Sequence, residues 1–169
     1  MSCLLFSGCG GQSEQKKFVI TYLPNESTDK NADARKGMAG DLSKVLGMEV
    51  TELVSNDYNA VIEAMRTGKA DMAYFGPLSF CLAYERAGAE PIGMIAKDKD
   101  KKNATYKSVL VTSCKNTDIN SIQDIKGKTM AFVDPNSTSG NLIPSAAIMK
   151  AFPGEKLSMD DLHTNGKFF

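Results

Sequence analysis

Three consecutive hydroxyl side chains, Ser137, Thr138 and Ser139, stand directly before Gly140 and Asn141. An apolar, strand-like run precedes them at residues 129–133, and residues 145–152 follow with helical spacing. The order is therefore strand, hydroxyl-rich turn, helix. A helix start presents backbone N–H groups that lack intrahelical partners, together with the positive end of the helix dipole. A tetrahedral oxyanion such as phosphate or a phosphonate binds there without a cationic side chain. The expected donors are the three hydroxyls and the N–H groups from Ser139 to Asn141. Gly140 has no Cβ and would let a ligand come close to the backbone. Ser, Thr and Asn before a helix are also ordinary N-caps, but one cap needs one hydroxyl and three are present. Pro144 falls in the opening turns, where a missing N–H costs least.

Other chemistry finds less support. Gly127-Lys128-Thr129 invites a phosphate-binding-loop reading, but that motif needs glycine at position 122, which is Ile122. Its lysine would also lead into a helix, whereas Lys128 leads into a strand-like run. His163 is the single histidine and has no Cys or His beside it, so a surface or capping place suits it better than a ligand role. No base accompanies Ser137, Ser139 or Cys81 as nucleophile, and the G-x-S-x-G pattern is absent. No spacing of Cys, His or acidic residues suggests a metal, and no cofactor motif is present. The expectation is a binding protein without catalytic residues.

Composition sets the frame. The 169 residues carry 42% hydrophobic and 24% charged side chains, as in a water-soluble globular chain. Twenty basic and twenty acidic residues cancel, so no general positive field draws nucleic acid. An anion site in such a chain must rely on local dipoles and hydroxyls. The mixed-charge run at residues 98–103 reads as a solvated loop.

The elements that would position the turn alternate in type. Residues 18–23 read as a buried first strand, closed by Pro24-Asn25-Glu26-Ser27. Residues 28–47 read as a helix with Met38, Leu42, Val45 and Leu46 on its apolar side, and Gly47 as its stop. A strand is expected over 48–54. A helix follows over 58–67, with Asn56 or Asp57 as cap and Gly68 as stop. Further strands are expected at 70–75, 90–96 and 106–112, a helix at 78–88, a helical turn at 121–125 and a helix start at Asp160. The last two residues, Phe168 and Phe169, are expected to be exposed. Strand–helix alternation implies a parallel or mixed α/β sheet covered by helices.

At this point the sequence resembles a family. Residues 127–135, then Ser137-Thr138-Ser139-Gly140 and Pro144, look like the phosphate, phosphite and phosphonate-binding proteins of ABC transporters. Asp57-Tyr58 with the helix after it fits the same pattern, as does the run from Ala70 through Phe75, Gly76 and Pro77. The resemblance covers the chain from Phe18 onward. It implies an α/β, type II periplasmic-binding-protein-like fold in which two lobes enclose the ligand. Lobe one would be residues 18–104 and nearly complete. Lobe two would begin at residues 105–169 and stop before the chain returns to lobe one. It further implies Tyr58 and Phe75 as cleft walls, a small oxyanion ligand, and a permease and ATPase as partners. The open alternative is a sensory or regulatory module of the same fold that reports an anion.

The N-terminus adds one more expectation. Leu4-Leu5-Phe6-Ser7-Gly8-Cys9 resembles the end of a bacterial lipoprotein signal, with Cys9 as the lipid-bearing residue and a polar tether up to Lys17. The run is shorter than the ~7–15 apolar residues of a secretory signal and has no basic start. The expectation is a signal remnant at residues 1–17 whose true start lies upstream; the alternative is chance. A lipid anchor would hold the protein on the outer side of the cell membrane.

Overall fold

The structure is a computed structural model and describes residues 16–96, 98–163 and 168–169. Cys9 and its tether lie outside the described residues.

Three parallel strands make the sheet. They are β1 (Phe18–Tyr22), β2 (Val50–Leu53) and β3 (Met72–Tyr74), in the order β2-β1-β3. Phe18 pairs with Val50 and Ile20 with Met72. As the middle strand, β1 buries residues of both faces, and Ile20, Thr21 and Tyr22 are all buried. That explains its nearly unbroken apolar sequence. Parallel neighbours need crossovers, and helices supply them. Helix α1 (Ala32–Leu46) joins β1 to β2, and α2 (Tyr58–Arg66) joins β2 to β3. Helix α3 (Pro77–Ala87) leaves β3.

Local chemistry fixes the ends of these elements. The Asp57 carboxylate accepts the Ala60 N–H at 2.7 Å and opens α2. Pro77 sits in the first turn of α3. Gly47 and Gly88 close α1 and α3 at φ 66° and φ 64°, a left-handed conformation that glycine adopts without a Cβ penalty.

Helix α1 departs from expectation. None of its residues is buried, and Val45 is 82% exposed. It is held chiefly by polar contacts. Arg35 Nη1 donates to the carbonyls of Glu26 and Thr28 at 2.7 Å each, and the Ser43 hydroxyl donates to the Met48 carbonyl at 2.7 Å.

The expected strands at 90–96, 106–112 and 129–133 are not strands. Their sequences suit a sheet, but a strand exists only when its backbone groups find a neighbouring ladder. None of the three finds one among the described residues. Ile92, Val109 and Val111 are accordingly exposed.

After residue 121 the regular elements among the described residues are all helical. A turn of 3-10 helix at Ile122–Ile125 is followed by a π-helical turn at Thr138–Leu142, which runs into α4 (Ile143–Ala151), and α5 spans Met159–His163. Phe168 is only 2% exposed, which corrects the expectation for the final aromatics. It packs edge-on against Phe152 at 4.8 Å and Phe169 at 4.9 Å, and it joins a core with Ile148 and Leu162. The aromatics cover one another, so this end buries its apolar surface without a sheet.

The apolar cores are separate in sequence. Those under the sheet draw on residues no later than Ala89, and the C-terminal core draws on residues no earlier than Ile122. The π-helical turn docks one part on the other, and its glycine is constrained by packing. A Cβ at Gly140 would lie 2.4 Å from Val133 Cγ2 and 2.6 Å from Val133 Cβ. Gly140 is thus required by Val133 beneath it, a reason the sequence did not reveal.

Two outcomes follow from this packing. Ile148→Ala removes a fully buried side chain and is expected to cost about 2–5 kcal/mol, read as a lowered urea midpoint. Gly140→Ala overpacks the turn and is expected to destabilise by about 1–3 kcal/mol. The added substitution Val133→Ala should recover part of that loss in thermal melts; no recovery would mean that Val133 is not the obstacle.

Candidate functional site

The carboxyl ends of all three strands open on one side, and the hydroxyl-rich turn lies there. Open parallel sheets place ligands at this position. Two helices of the sheet region also start there, and each aims an N–H at the turn. The Leu78 N–H of α3 donates to Thr138 Oγ1 at 2.8 Å. The Tyr58 N–H of α2 points at Asp134 Oδ2 from 3.5 Å. A third start, that of the π-helical turn, is capped by Ser137, whose Oγ accepts the Gly140 N–H at 3.1 Å. Three positive helix ends therefore meet around one turn, and no lysine or arginine is needed to make the region favour an anion.

The turn divides its labour. Ser137 is buried, and its carbonyl accepts N–H groups from Asn141 at 3.2 Å and Leu142 at 3.0 Å. The bonds from Asn141 and Gly140 occupy N–H groups that the sequence reading gave to the anion. Asn141 is buried too. Its Nδ2 donates to the Pro135 carbonyl at 2.8 Å, and its Oδ1 accepts from Ser145 Oγ at 3.4 Å. Asn141 and Gly140 thus shape the turn from within. Thr138 and Ser139 differ, because both line an open cleft of about 260 Å³ with Pro77, Tyr106, Ser108 and Ile143. Since Thr138 Oγ1 accepts from Leu78, its own O–H is directed to another acceptor. The Ser108 hydroxyl donates to the Ser139 carbonyl at 2.7 Å and ties the cleft's other wall to the turn.

Tyr58 begins α2 and is buried, packed with Leu23 and Val61. Its hydroxyl donates to Asn25 Oδ1 at 3.0 Å. Burial pushes the phenol above its ordinary pKa; the Ser137 hydroxyl opposes this, and Asp134, Tyr106 and Glu26 add to it. Tyr74 is likewise raised by burial first, then by Glu26 and Tyr106. A raised phenol pKa keeps the proton on, so both rings stay neutral. Phe75 packs between the two cores beneath the sheet and supports Tyr58 from behind.

Sequence reasoning missed Tyr106, Ser108, Tyr74, Asn25 and Asp134 as parts of this region. One signal was available for two of them: Tyr106 and Ser108 alternate in an extended run, so their side chains share a side. His163 lies away from the cleft, its Nε2 3.2 Å from Ser145 Oγ and its ring 4.1 Å from that of Phe132. A larger surface groove of about 400 Å³ runs from Leu53 to Lys69 and includes no residue of the turn. No group of three or more His, Cys, Asp or Glu is placed to hold a metal among the described residues. No helix among them is long and apolar enough to cross a membrane.

The sequence and the fold have known relatives. A family model described as the periplasmic substrate-binding protein of phosphonate ABC transporters matches residues 20–164. The phosphate-import protein PhnD of Mycolicibacterium smegmatis is 31% identical over 157 residues, covering 87% of this chain and 49% of that protein. The phosphonates-binding periplasmic protein of Escherichia coli is 31% identical over 145 residues, covering 83% and 42%. The chain spans about half the length of the curated relatives it matches. Among solved structures, a binding protein component of an ABC phosphonate transporter from Pseudomonas aeruginosa superposes with a TM-score of 0.68 at 24% identity, covering 87% of this chain and 48% of that one. PhnD1 from Prochlorococcus marinus, solved with methylphosphonate, gives 0.54 at 24% identity, covering 80% and 50%. These structural likenesses bear on the fold, which is that of the periplasmic binding proteins. With the matched family model spanning most of its length, the chain belongs to the family of periplasmic substrate-binding proteins of phosphonate ABC transporters.

Proposed function

We propose that the protein is the solute-binding component of an ABC importer and captures a phosphorus oxyanion: phosphonate, phosphite or phosphate. The observation that carries this reading is the meeting of helix starts and hydroxyls at one cleft, centred on the 2.8 Å contact between the Leu78 N–H and Thr138 Oγ1. The names of relatives support the ligand class, since they bind or import phosphate, phosphonates or phosphite. A permease and an ATPase are the partners such a protein serves.

In this reading Thr138 and Ser139 hydroxyls donate to the anion, and Ser137, Gly140 and Asn141 hold them in place. Tyr58 stands on the opposite wall with Phe75 behind it. Lobe one is residues 18–104 and residues 105–169 are part of lobe two, a division supported by the separate apolar cores. The donors facing the cleft are hydroxyls, which suits a small anion whose charge is balanced by hydrogen bonds. The protein works outside the cytoplasm, held to the membrane by lipid on Cys9.

Two measurements test the reading. In the complete gene product, Thr138→Ala with Ser139→Ala removes two donors to a charged group. Each is worth roughly 1.5–3 kcal/mol, so calorimetry with methylphosphonate should show affinity lowered at least about tenfold. Thr138→Ser keeps the acceptor for Leu78 and should bind nearly as the parent does. Unchanged affinity in the double variant would remove the turn from the site. For the anchor, mass spectrometry of protein expressed from its native start should find Cys9 as the lipidated first residue. An intact, unmodified peptide spanning Cys9 would contradict it.

A further inference from the structure

The two walls of the cleft present opposite hydrogen-bonding faces. On the turn, Thr138 Oγ1 accepts the Leu78 N–H at 2.8 Å, which leaves the Thr138 proton to be donated outward. Ser139 beside it lines the cleft as well. Across the cleft stands Ser108, whose hydroxyl lies 2.7 Å from the Ser139 carbonyl oxygen. A carbonyl cannot donate, so the single Ser108 proton must lie in that bond. The distance is that of a well-formed O–H···O bond. Ser108 is itself part of the cleft wall, and its oxygen keeps its lone pairs. It offers a ligand an acceptor and no donor. Turning its proton to a ligand would strip the Ser139 carbonyl of that bond.

No carboxylate, ammonium or imidazole lines the cleft among the described residues. Tyr106, two residues before Ser108, is the titratable side chain of the wall. Next to it are Tyr58 and Tyr74, phenols that burial keeps protonated, and Glu26 stands near both. Glu26 already accepts from Asn25 at 2.9 Å and Asn31 at 3.0 Å. Asp134, ahead of the turn, accepts the Asn136 N–H at 2.8 Å and turns its other oxygen to the Tyr58 N–H. Lys107 is exposed and is not a lining residue. We propose that Ser108 is a specificity-determining residue that reads a proton on the ligand. The cleft takes a phosphorus oxyanion in its monoprotonated form: the P–OH donates to Ser108 Oγ, and the deprotonated oxygens accept from the Thr138 and Ser139 hydroxyls. This rests on the reading of the cleft as a phosphorus-oxyanion site. A form with every oxygen deprotonated sets lone pair against lone pair at Ser108 and loses one hydrogen bond of a charged group.

The test is calorimetry of the complete gene product with methylphosphonate, from neutral to alkaline pH. If only the monoprotonated form binds, affinity falls about tenfold per pH unit above the ligand's second ionisation, by proton linkage. Titrations in buffers of different ionisation enthalpy should then show a proton taken up with the ligand, a result that needs no variant. With phosphite, which ionises at lower pH, the fall should begin earlier. A fall fixed at one pH for both ligands would belong to a protein group and overturn the inference. Ser108→Ala removes the acceptor; it should lower affinity at least about tenfold below the ionisation and flatten the slope above it. Ser108→Thr keeps the hydroxyl and should keep the parent slope. An affinity level or rising with pH in the parent, without proton uptake, overturns the inference while leaving the oxyanion site standing. So does a parent slope in Ser108→Ala, the result that a purely structural role would give. No methylphosphonate binding by folded protein at any pH would overturn both.

Discussion

Every helix begins with backbone N–H groups that its own hydrogen bonds cannot satisfy. In this protein those groups at α3 and α2 point toward the same turn, and the C-terminal part of the chain is docked by supplying acceptors to them. Thr138 accepts from Leu78, 60 residues away in sequence, and Asp134 approaches Tyr58 across 76. Asn136 adds a bond to Asn59 at 3.0 Å. Each is worth about 1 kcal/mol net, but a buried N–H left without a partner would cost more than the bond gains. The docking geometry is therefore set by polar satisfaction, while the apolar cores remain on either side.

The separation of the cores fits a binding cleft between two parts. The sheet side is held by Ile20, Val61, Ile62 and Ala83, and the C-terminal side by Ile148, Leu162 and the phenylalanines. Hydrogen bonds bridging the two are directional and can be exchanged for bonds to a ligand without opening either core.

The legible parts of the fold were those specified locally. Asp57 before α2, Pro77 opening α3 and Gly88 closing it state their boundaries in a few residues. The three ladder strands were legible because their apolar runs end in turn residues. The runs at 90–96, 106–112 and 129–133 carry the same composition and are not strands, because pairing is decided by distant neighbours. The turn was legible from its hydroxyls, but the division of roles within it was not. Asn141 faces inward to Pro135 and Ser145, and Gly140 is needed for Val133, and both facts depend on packing. Asn25 is the extreme case: nothing near it in sequence shows that it receives the proton of Tyr58. Phe168 was misread because an aromatic near the end of a chain was taken as uncovered, whereas its cover comes from Phe152 and Ile148.

The central claim is that the anion sits where the helix starts meet. Amide hydrogen exchange of the complete gene product, with and without methylphosphonate, locates that point directly. The account expects added protection concentrated at residues 76–79 and 138–142, with a smaller effect at the start of α2. Protection confined to the groove between Leu53 and Lys69, with the hydroxyl-rich turn unchanged, would contradict it.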